Sequence, residues 1–202
     1  MIYTETALRS AISFYVDMIN EEAAKNKDNP MGRIDLDEYL LKTLGRIMAS
    51  VLFGVRLNTD YPDMMGYDGY LPSNDNKVII GVAKIEDGGM YFNPTESLKK
   101  IVEKNGLKFI AFIVRGDGTF ENPMCCSLTA ESALYTIIKD DITLWERFPF
   151  ADFKLGFENL PFNWQLFQEI NDIIRSKTSP TTITQNPKGT GLLRNKTHTK
   201  KK

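Results

Sequence analysis

The spacing of apolar residues along the chain predicts helices in five stretches. In the first, over residues 4–24, Leu8, Ile12, Tyr15 and Ile19 recur at intervals of four, three and four positions. This is the spacing of side chains that share one face of a helix. The same period recurs in four later stretches, so further helices are predicted over 35–53, 93–105, 129–148 and 163–174.

Local signals indicate where the predicted helices begin and end. Asp35 is predicted to cap the second helix because Glu38 follows three positions later, and Gly54 is predicted to stop it. Asn93 is the predicted cap of the third helix, since a proline follows it directly. Pro149 is predicted to end the fourth helix.

The stretches between these helices contain two clear strand signals. Residues 77–86 are mostly β-branched, and residues 109–114 form a continuous apolar run that is typical of a strand covered on both faces. The Asp-Gly-Gly sequence at 87–89 predicts a hairpin turn from the first strand into a short strand at 90–92. One more short strand is predicted around 67–71, inside a long loop.

These elements together predict the fold class. A strand, a crossover helix and a second strand over 90–114 are expected to form a right-handed parallel βαβ unit beside the antiparallel hairpin. We therefore predict a mixed α/β (α+β) domain, in which about five helices flank a small mixed sheet with one β-hairpin and one βαβ unit.

Charge divides the chain into two parts. The formal net charge is only −1, but all 26 acidic and 17 of the 25 basic residues lie in 1–174, which gives that part a charge of −9. Residues 175–202 carry eight positive charges, no acidic residue and no aromatic residue. Such a composition cannot bury enough apolar surface to offset the entropy of ordering. We predict one acidic domain over 1–174 and a basic tail over 175–202 that is disordered when the protein is alone.

Several classes of chemistry lack the residues they need. His198, in the predicted tail, is the only histidine of the chain, which disfavours nucleophile–histidine catalysis and histidine-rich metal sites. The two cysteines, Cys125 and Cys126, are adjacent and therefore make neither a disulfide framework nor a spaced pair of metal ligands. No cofactor and no metal site is predicted.

Two further features bear on location. No run of apolar residues approaches the length of a membrane span, and the first 25 residues lack the basic start and apolar middle of a secretory signal. The predicted location is the cytoplasm or a virion, with no membrane partner.

One group of residues suggests an enzyme. The predicted order α-β-β-α-β, Asp68 before a hydrophobic strand and Lys84 within that strand resemble the PD-(D/E)xK nuclease family over roughly residues 36–115. The resemblance implies two carboxylates that hold a divalent metal and a lysine that positions water. The family has an acid two places before the lysine, where this chain has Val82. Glu86 could take that place, because strand alternation puts it on the same face as Lys84.

Aromatic residues near the end of the predicted domain suggest a different role. Phe150, Phe153, Phe157 and Phe162 occur in a loop without a regular period that would bury them all. Aromatic side chains are preferred anchors of permanent protein interfaces. These four residues are predicted either to contact a partner or to pack in the domain's own core.

The basic tail has three possible roles: an inert solvated end, a nucleic-acid contact, or a segment that lies on a neighbouring subunit. For the last role the predicted anchors are Leu192 and Leu193, followed by the cations Arg194, Lys196, Lys200, Lys201 and Lys202. Opposite charges on separate parts of one chain favour contact between the tail of one copy and the body of the next. We expect deletion of 178–202 to leave the domain folded and to weaken assembly.

Taken together, these patterns favour a non-enzymatic structural or assembly protein. We predict a subunit that forms homo-oligomers and contacts neighbouring subunits of a larger symmetric complex, with a neck or tail ring of a phage virion as the specific assembly. The alternatives are a metal-dependent nuclease of the PD-(D/E)xK type, active or degenerate, which would use Asp68, Lys84 and Glu86, and a nucleic-acid-binding accessory protein that acts through the tail.

Overall fold

A computed structural model of the chain describes most of the predicted domain. The described residues are 1–25, 37–59, 67–72, 76–85, 89–92, 107–128, 146–149 and 160–178. They contain three helices, α1 (Glu5–Lys25), α2 (Glu38–Phe53) and α3 (Trp164–Lys177). They also contain seven strands: β1 (Arg56–Leu57), β2 (Gly69–Tyr70), β3 (Lys77–Lys84), β4 (Gly89–Phe92), β5 (Leu107–Val114), β6 (Met124–Leu128) and β7 (Glu146–Pro149).

Five of the strands form one mixed sheet. Its strand order is β1-β2-β3-β5-β6, and the two long strands β3 and β5 lie parallel at its centre, with Val78 opposite Lys108 and Lys84 opposite Val114. The other pairs in this sheet are antiparallel. A parallel pair needs a crossover connection rather than a tight turn, so β3 and β5 are the two strands of a β-crossover-β unit. The strands β4 and β7 form a separate antiparallel pair.

The three helices pack on one face of the five-stranded sheet. Val78 and Ile80 of β3 share a single buried cluster with Leu44 and Met48 of α2, and the cluster extends to α1 and α3. The approach of α2 to the sheet is close at Gly45, where an added Cβ would lie 2.4 Å from a methyl group of Val82. A helix can come this near only where it has no side chain, so glycine at this position sets the α2–β3 distance.

The central strand β5 is also covered on its second face. Phe112 and Val114 point to the helices, while the alternate residues Phe109, Ala111 and Ile113 are buried outside that helical cluster. The burial of both faces of β5 confirms the prediction from its unbroken apolar run.

Local signals at the helix ends were partly correct. The side chain of Asp37, rather than Asp35, accepts hydrogen bonds from the amides of Tyr39 and Leu40 and so caps α2. The predicted stop is confirmed, since Gly54 has the left-handed φ of 71° that ends many helices. The cap therefore lies two positions later than predicted, because α2 begins at Glu38 and its first free amides are within reach of Asp37.

The mixed α+β class is confirmed, but the count of about five helices is not matched, since three helices lie in the described part. The predicted third helix and residues 129–145 of the fourth lie outside the described residues. The predicted continuation of the fourth helix to Pro149 is wrong, because Glu146–Pro149 is strand β7.

The predicted pairing of strands is also corrected. β4 does not form a hairpin with β3; it pairs with β7, and Tyr91 lies opposite Arg147. β5 pairs with β3 from Val78 to Lys84, and β2 pairs with β3 at Lys77 and Val78, whereas all four residues of β4 are paired with β7. The parallel unit accordingly begins with β3 and not with the strand at 90–92, and the antiparallel neighbours in sequence are β1–β2, β2–β3 and β5–β6.

Two further expectations concern a membrane span and the boundary between domain and tail. Among the described residues no helix is both long enough and apolar enough to cross a membrane. α3 extends to Lys177, three residues past the predicted domain boundary at residue 174, and the tail beyond Thr178 lies outside the described residues.

Candidate functional site around Asp68

Asp68 is held at the start of β2 by its backbone. Its amide donates to the carbonyl of Val78 at 2.8 Å, and its carbonyl accepts from the amide of Asn58 at 2.9 Å. These bonds connect Asp68 to β3 on one side and to the end of β1 on the other. The residue is only 4% exposed, and ionisable side chains are rarely buried to this extent unless they are paired.

The carboxylate of Asp68 has two partners inside the domain. Its Oδ2 accepts from the amide of Ile80 at 2.8 Å, and its Oδ1 lies 3.6 Å from Nε of Arg46 on α2. Arg46 in turn donates through Nη2 to the carbonyl of Asn58 at 3.1 Å. Burial of a carboxylate is tolerable when hydrogen bonds and a cation compensate its charge. Arg46 and Asp68 thus form an ion pair that joins α2 to the β1–β2–β3 edge of the sheet.

Two tyrosines and a lysine lie beside this ion pair. The hydroxyls of Tyr67 and Tyr70 are 2.6 Å apart, and their rings meet edge to face at 5.3 Å. Nζ of Lys77 lies 4.7 Å from the centre of the Tyr67 ring, within cation–π distance. Burial, followed by the contact with Tyr70, raises the pKa of Tyr67 to about 12. Both rings are therefore fixed in orientation, and the Tyr67 hydroxyl stays protonated at neutral pH.

The register of the strands aligns charged and aromatic residues across the sheet. Arg56 of β1 lies opposite Tyr70 of β2, and Tyr70 lies opposite Lys77 of β3. Directly opposed residues in antiparallel strands share a face. The alternate residues Leu57 and Val78 belong to the helical core, so the row of Arg56, Tyr70 and Lys77 lies on the other face. We call these three residues the basic–aromatic row.

An open depression lies next to the basic–aromatic row. Its volume is about 350 Å³, and Arg56, Leu57, Asn58 and Tyr70 line it. The arginine is exposed and the tyrosine is partly exposed. The depression therefore presents a cation and an aromatic ring to solvent, while the side-chain nitrogen of Asn58 donates to the carbonyl of Tyr67 at 3.2 Å.

The residues of the nuclease alternative are not brought together in the described part. Lys84 is four residues beyond Ile80 on the same strand, which places it about 13 Å from the backbone that Asp68 contacts. The positions of β3 nearest to Asp68 carry Val78, Ile79 and Ile80, none of which has a carboxylate. Glu86 lies outside the described residues. Within the described ranges, no three His, Cys, Asp or Glu side chains cluster as metal ligands would.

A second buried polar cluster holds the turn between β5 and β6. The Tyr15 hydroxyl of α1 donates to the carbonyl of Gly118 at 2.8 Å. On the other side, the Asn171 amide of α3 accepts from the Phe120 amide at 2.9 Å and donates to the Phe120 carbonyl at 3.0 Å. Burial, with the charge of Asp117, raises the pKa of Tyr15. This cluster is formed by neutral side chains that each satisfy backbone groups.

Charged residues of the same turn lie nearer to solvent. Arg115 donates to both carboxylate oxygens of Glu121, at 2.7 and 2.6 Å, and this pairing lowers the pKa of Glu121. Burial alone would raise the pKa of Asp117, but hydrogen bonds from Thr119 and the nearby arginines Arg115 and Arg175 lower it. Both carboxylates are therefore charged at neutral pH, and their partners belong to the domain itself.

Of the residues predicted to contact a partner, Phe162 alone lies in the described part. It is half-buried and packs against Phe53 at 4.5 Å and Phe167 at 5.5 Å between ring centres. It thus contributes to the domain's own core. The other predicted contacts, Phe150, Phe153, Phe157 and the tail residues from Leu192 to Lys202, lie outside the described residues.

Sequence reasoning missed the partners of Asp68 and of the β5–β6 turn. Arg46 carried a usable signal, because it is the one cation between Leu44 and Phe53, where the helix is otherwise rich in apolar residues. Asn171 gave a weaker signal of the same kind, next to Ile170 in α3. Cys125 is buried, and burial raises the pKa of its thiol to about 11, which disfavours a reactive thiolate.

Comparison with known proteins leaves the geometry as the basis for assigning a role. No protein-family model matches the chain, and neither does any curated protein or solved structure.

Proposed function

We propose that this chain is a non-enzymatic subunit of a larger assembly, which contacts its neighbours through an aromatic corner at the start of α3. The aromatic corner consists of Phe53, Phe162, Trp164 and Phe167. The observation that carries the proposal is Trp164, whose residue surface is 44% exposed although its ring meets Phe162 at 4.5 Å. Exposed tryptophan on a packed base is typical of interface anchors.

The aromatic corner is rigid, which favours its use as a contact. The amide of Asn163 donates to the carbonyl of Leu52 at 2.9 Å, and this bond ties the start of α3 to the end of α2. The Asn163 side chain also caps α3 by accepting from the amide of Leu166. Little conformational entropy remains for Trp164 to lose on binding, so more of its contact energy contributes to affinity.

The nuclease alternative receives less support from the geometry. Catalysis with a divalent metal needs carboxylate oxygens directed to a common point. The carboxylate of Asp68 instead accepts from Ile80 and pairs with Arg46, so a guanidinium supplies the positive charge beside it. Its role in the domain is to connect α2 to the sheet edge.

The assembly proposal is tested by the mass of the particle in solution. Light scattering during size-exclusion chromatography is expected to give a mass above the 23.0 kDa of one chain. Trp164→Ala is expected to shift the protein towards the monomer without loss of circular dichroism. Tyr39→Ala is the matched control, because Tyr39 is 77% exposed and lies at the opposite end of α2 from Leu52. A monomer at all concentrations that recovers no partner from its source would contradict the proposal.

A nuclease assay separates the alternative from the proposal. The purified chain is incubated with DNA or RNA and Mg²⁺ or Mn²⁺. We expect no cleavage. Cleavage that Asp68→Asn abolishes in a folded variant would establish the enzyme instead. The neck or tail ring of a phage virion stays the predicted assembly, and electron microscopy of the oligomer would test it through its symmetry.

A further inference from the structure

We propose that the basic–aromatic row is a binding surface for single-stranded nucleic acid. The proposal goes beyond the assembly role and depends neither on the aromatic corner nor on the tail. It is carried by the register that places a tyrosine between two cations on the face of the sheet away from the helices.

The spacing of the row suits one nucleotide and its flanking phosphates. Adjacent strands lie about 4.8 Å apart, so the Cα atoms of Arg56 and Lys77 are separated by about 10 Å with Tyr70 midway. A base that stacks on the Tyr70 ring would thus have a cation on either side of it. Stacking on aromatic rings together with backbone neutralisation by Lys and Arg is the general mode of single-strand binding.

The ring of Tyr70 is held ready for stacking. Its hydroxyl is fixed by Tyr67, whose own ring lies edge-on to it and below Lys77. Tyr70 also lines the open depression of about 350 Å³ together with Arg56. The surface therefore has two kinds of group that an unpaired nucleotide uses: a ring and cations.

Base stacking, rather than charge, selects a nucleic acid over an acidic peptide. The body of the chain carries a formal −9, which repels polyanions at long range. A ligand without rings would gain only the two short-range charge contacts against this repulsion. A single strand adds base stacking, whereas a duplex keeps its bases stacked on each other and cannot use Tyr70. The proposal therefore predicts preference for single strands.

The test is fluorescence anisotropy with the full-length chain and a labelled oligothymidylate about twelve nucleotides long. We expect binding that Tyr70→Ala weakens about tenfold and that Tyr70→Phe leaves within about twofold, because the ring and not the hydroxyl stacks. Arg56→Ala and Lys77→Ala are each expected to weaken binding and to reduce the salt slope by about 0.7. Lys42→Ala on α2 is the control for loss of one positive charge, and it is expected to change neither quantity measurably.

Competition experiments distinguish the row from the tail and from charge alone. Unlabelled single strands should displace the probe, while a duplex of equal length and poly-glutamate should compete poorly. Equal competition by the duplex or by poly-glutamate, or no binding with about 100 μM protein, would overturn the proposal. If Tyr70→Ala fails to fold by circular dichroism, the two cation variants decide: unchanged affinity in both overturns it.

Discussion

Two hairpins of the sheet are tied to the helices by buried polar side chains, and the two ties differ in their chemistry. At the β2–β3 hairpin the tie is the charged pair of Asp68 and Arg46. At the β5–β6 hairpin it consists of neutral groups, the Tyr15 hydroxyl and the Asn171 amide. We call them the charged tie and the neutral tie.

The difference concerns what each tie needs in order to be stable. In the charged tie each partner compensates the burial of the other, so removal of one leaves an uncompensated charge. In the neutral tie each side chain satisfies backbone groups by itself, and removal of one affects only those groups. The charged tie should therefore lose more stability when it is broken, although it is not a stronger interaction in the intact protein.

The largest expected effect is that of Asp68→Ala. The change leaves the Ile80 amide without its acceptor and Arg46 without its carboxylate, so we expect about 3 kcal/mol less free energy of unfolding. Urea unfolding followed by circular dichroism measures the loss. Asp68→Asn, which keeps an acceptor for Ile80, should lose less. A cost for Asp68→Ala below about 1 kcal/mol would show that the two ties do not differ as described.

A smaller loss is expected from Asn171→Ala in the neutral tie. The variant unpairs the amide and the carbonyl of Phe120, which should lower the free energy of unfolding by about 2 kcal/mol. Gln168→Ala, an exposed change on the same helix, serves as the control and should have almost no effect. If Asn171→Ala costs more than Asp68→Ala under the same conditions, the ranking of the ties is reversed.

Lowering the pH tests the charged residues that lie beside the neutral tie, because the stability they contribute depends on the ionisation of Glu121. The pKa of Glu121 in the folded protein is below its ordinary value of 4.5, because Arg115 donates to the carboxylate. A lowered folded pKa means that the stabilisation is present above about pH 4.5 and is lost as pH falls through the folded pKa. The difference in melting temperature between the wild type and Glu121→Gln should be smaller at pH 3 than at pH 7. The effect is small because both side chains are partly exposed.

The smallest expected quantity is the coupling between the ties. The hydrogen bond from Tyr15 is made to the turn after β5, whereas the ion pair of Asp68 lies at the start of β2. The two interactions share no residue. The costs of Tyr15→Phe and Asp68→Asn should therefore add within about 0.5 kcal/mol in the double variant. A larger coupling energy from the double-mutant cycle would mean that the ties act as one network.

The sequence predicted those parts of the fold that repeat a local pattern. The apolar stripe at Leu8, Ile12 and Tyr15 predicted α1, the β-branched run predicted β3, and the apolar run after Leu107 predicted β5. These signals depend on neighbours in the chain. The pairing of β4 with β7 joins Gly89 to Pro149, 60 positions later in the chain, and no local pattern at Met90–Phe92 indicates so distant a partner.

Of the two residues in the Asp68–Arg46 pair, only Asp68 could be predicted from the sequence. Asp68 stood out as an acid before a hydrophobic strand, but its partner Arg46 lies 22 positions earlier, and only the packing of α2 on the sheet brings the two together. The basic–aromatic row was not predicted, for a related reason. Arg56 and Tyr70 are neighbours through strand register, and register is set by long-range pairing and not by local spacing.

The contact between α1 and α3 has a consequence for how the domain forms. Arg9 pairs with Glu169, 160 positions later in the chain, and Asn20 donates to the carbonyl of Lys177. At about 5–20 residues per second, a ribosome needs roughly 10 to 30 s to make the sequence between these contacts. During that time α1 and α2 can meet, but the apolar groove that receives Ile170 and Ile174 stays open to water. Closure of the domain therefore follows completion of α3, so this groove is the part of the helical core that is covered last during synthesis.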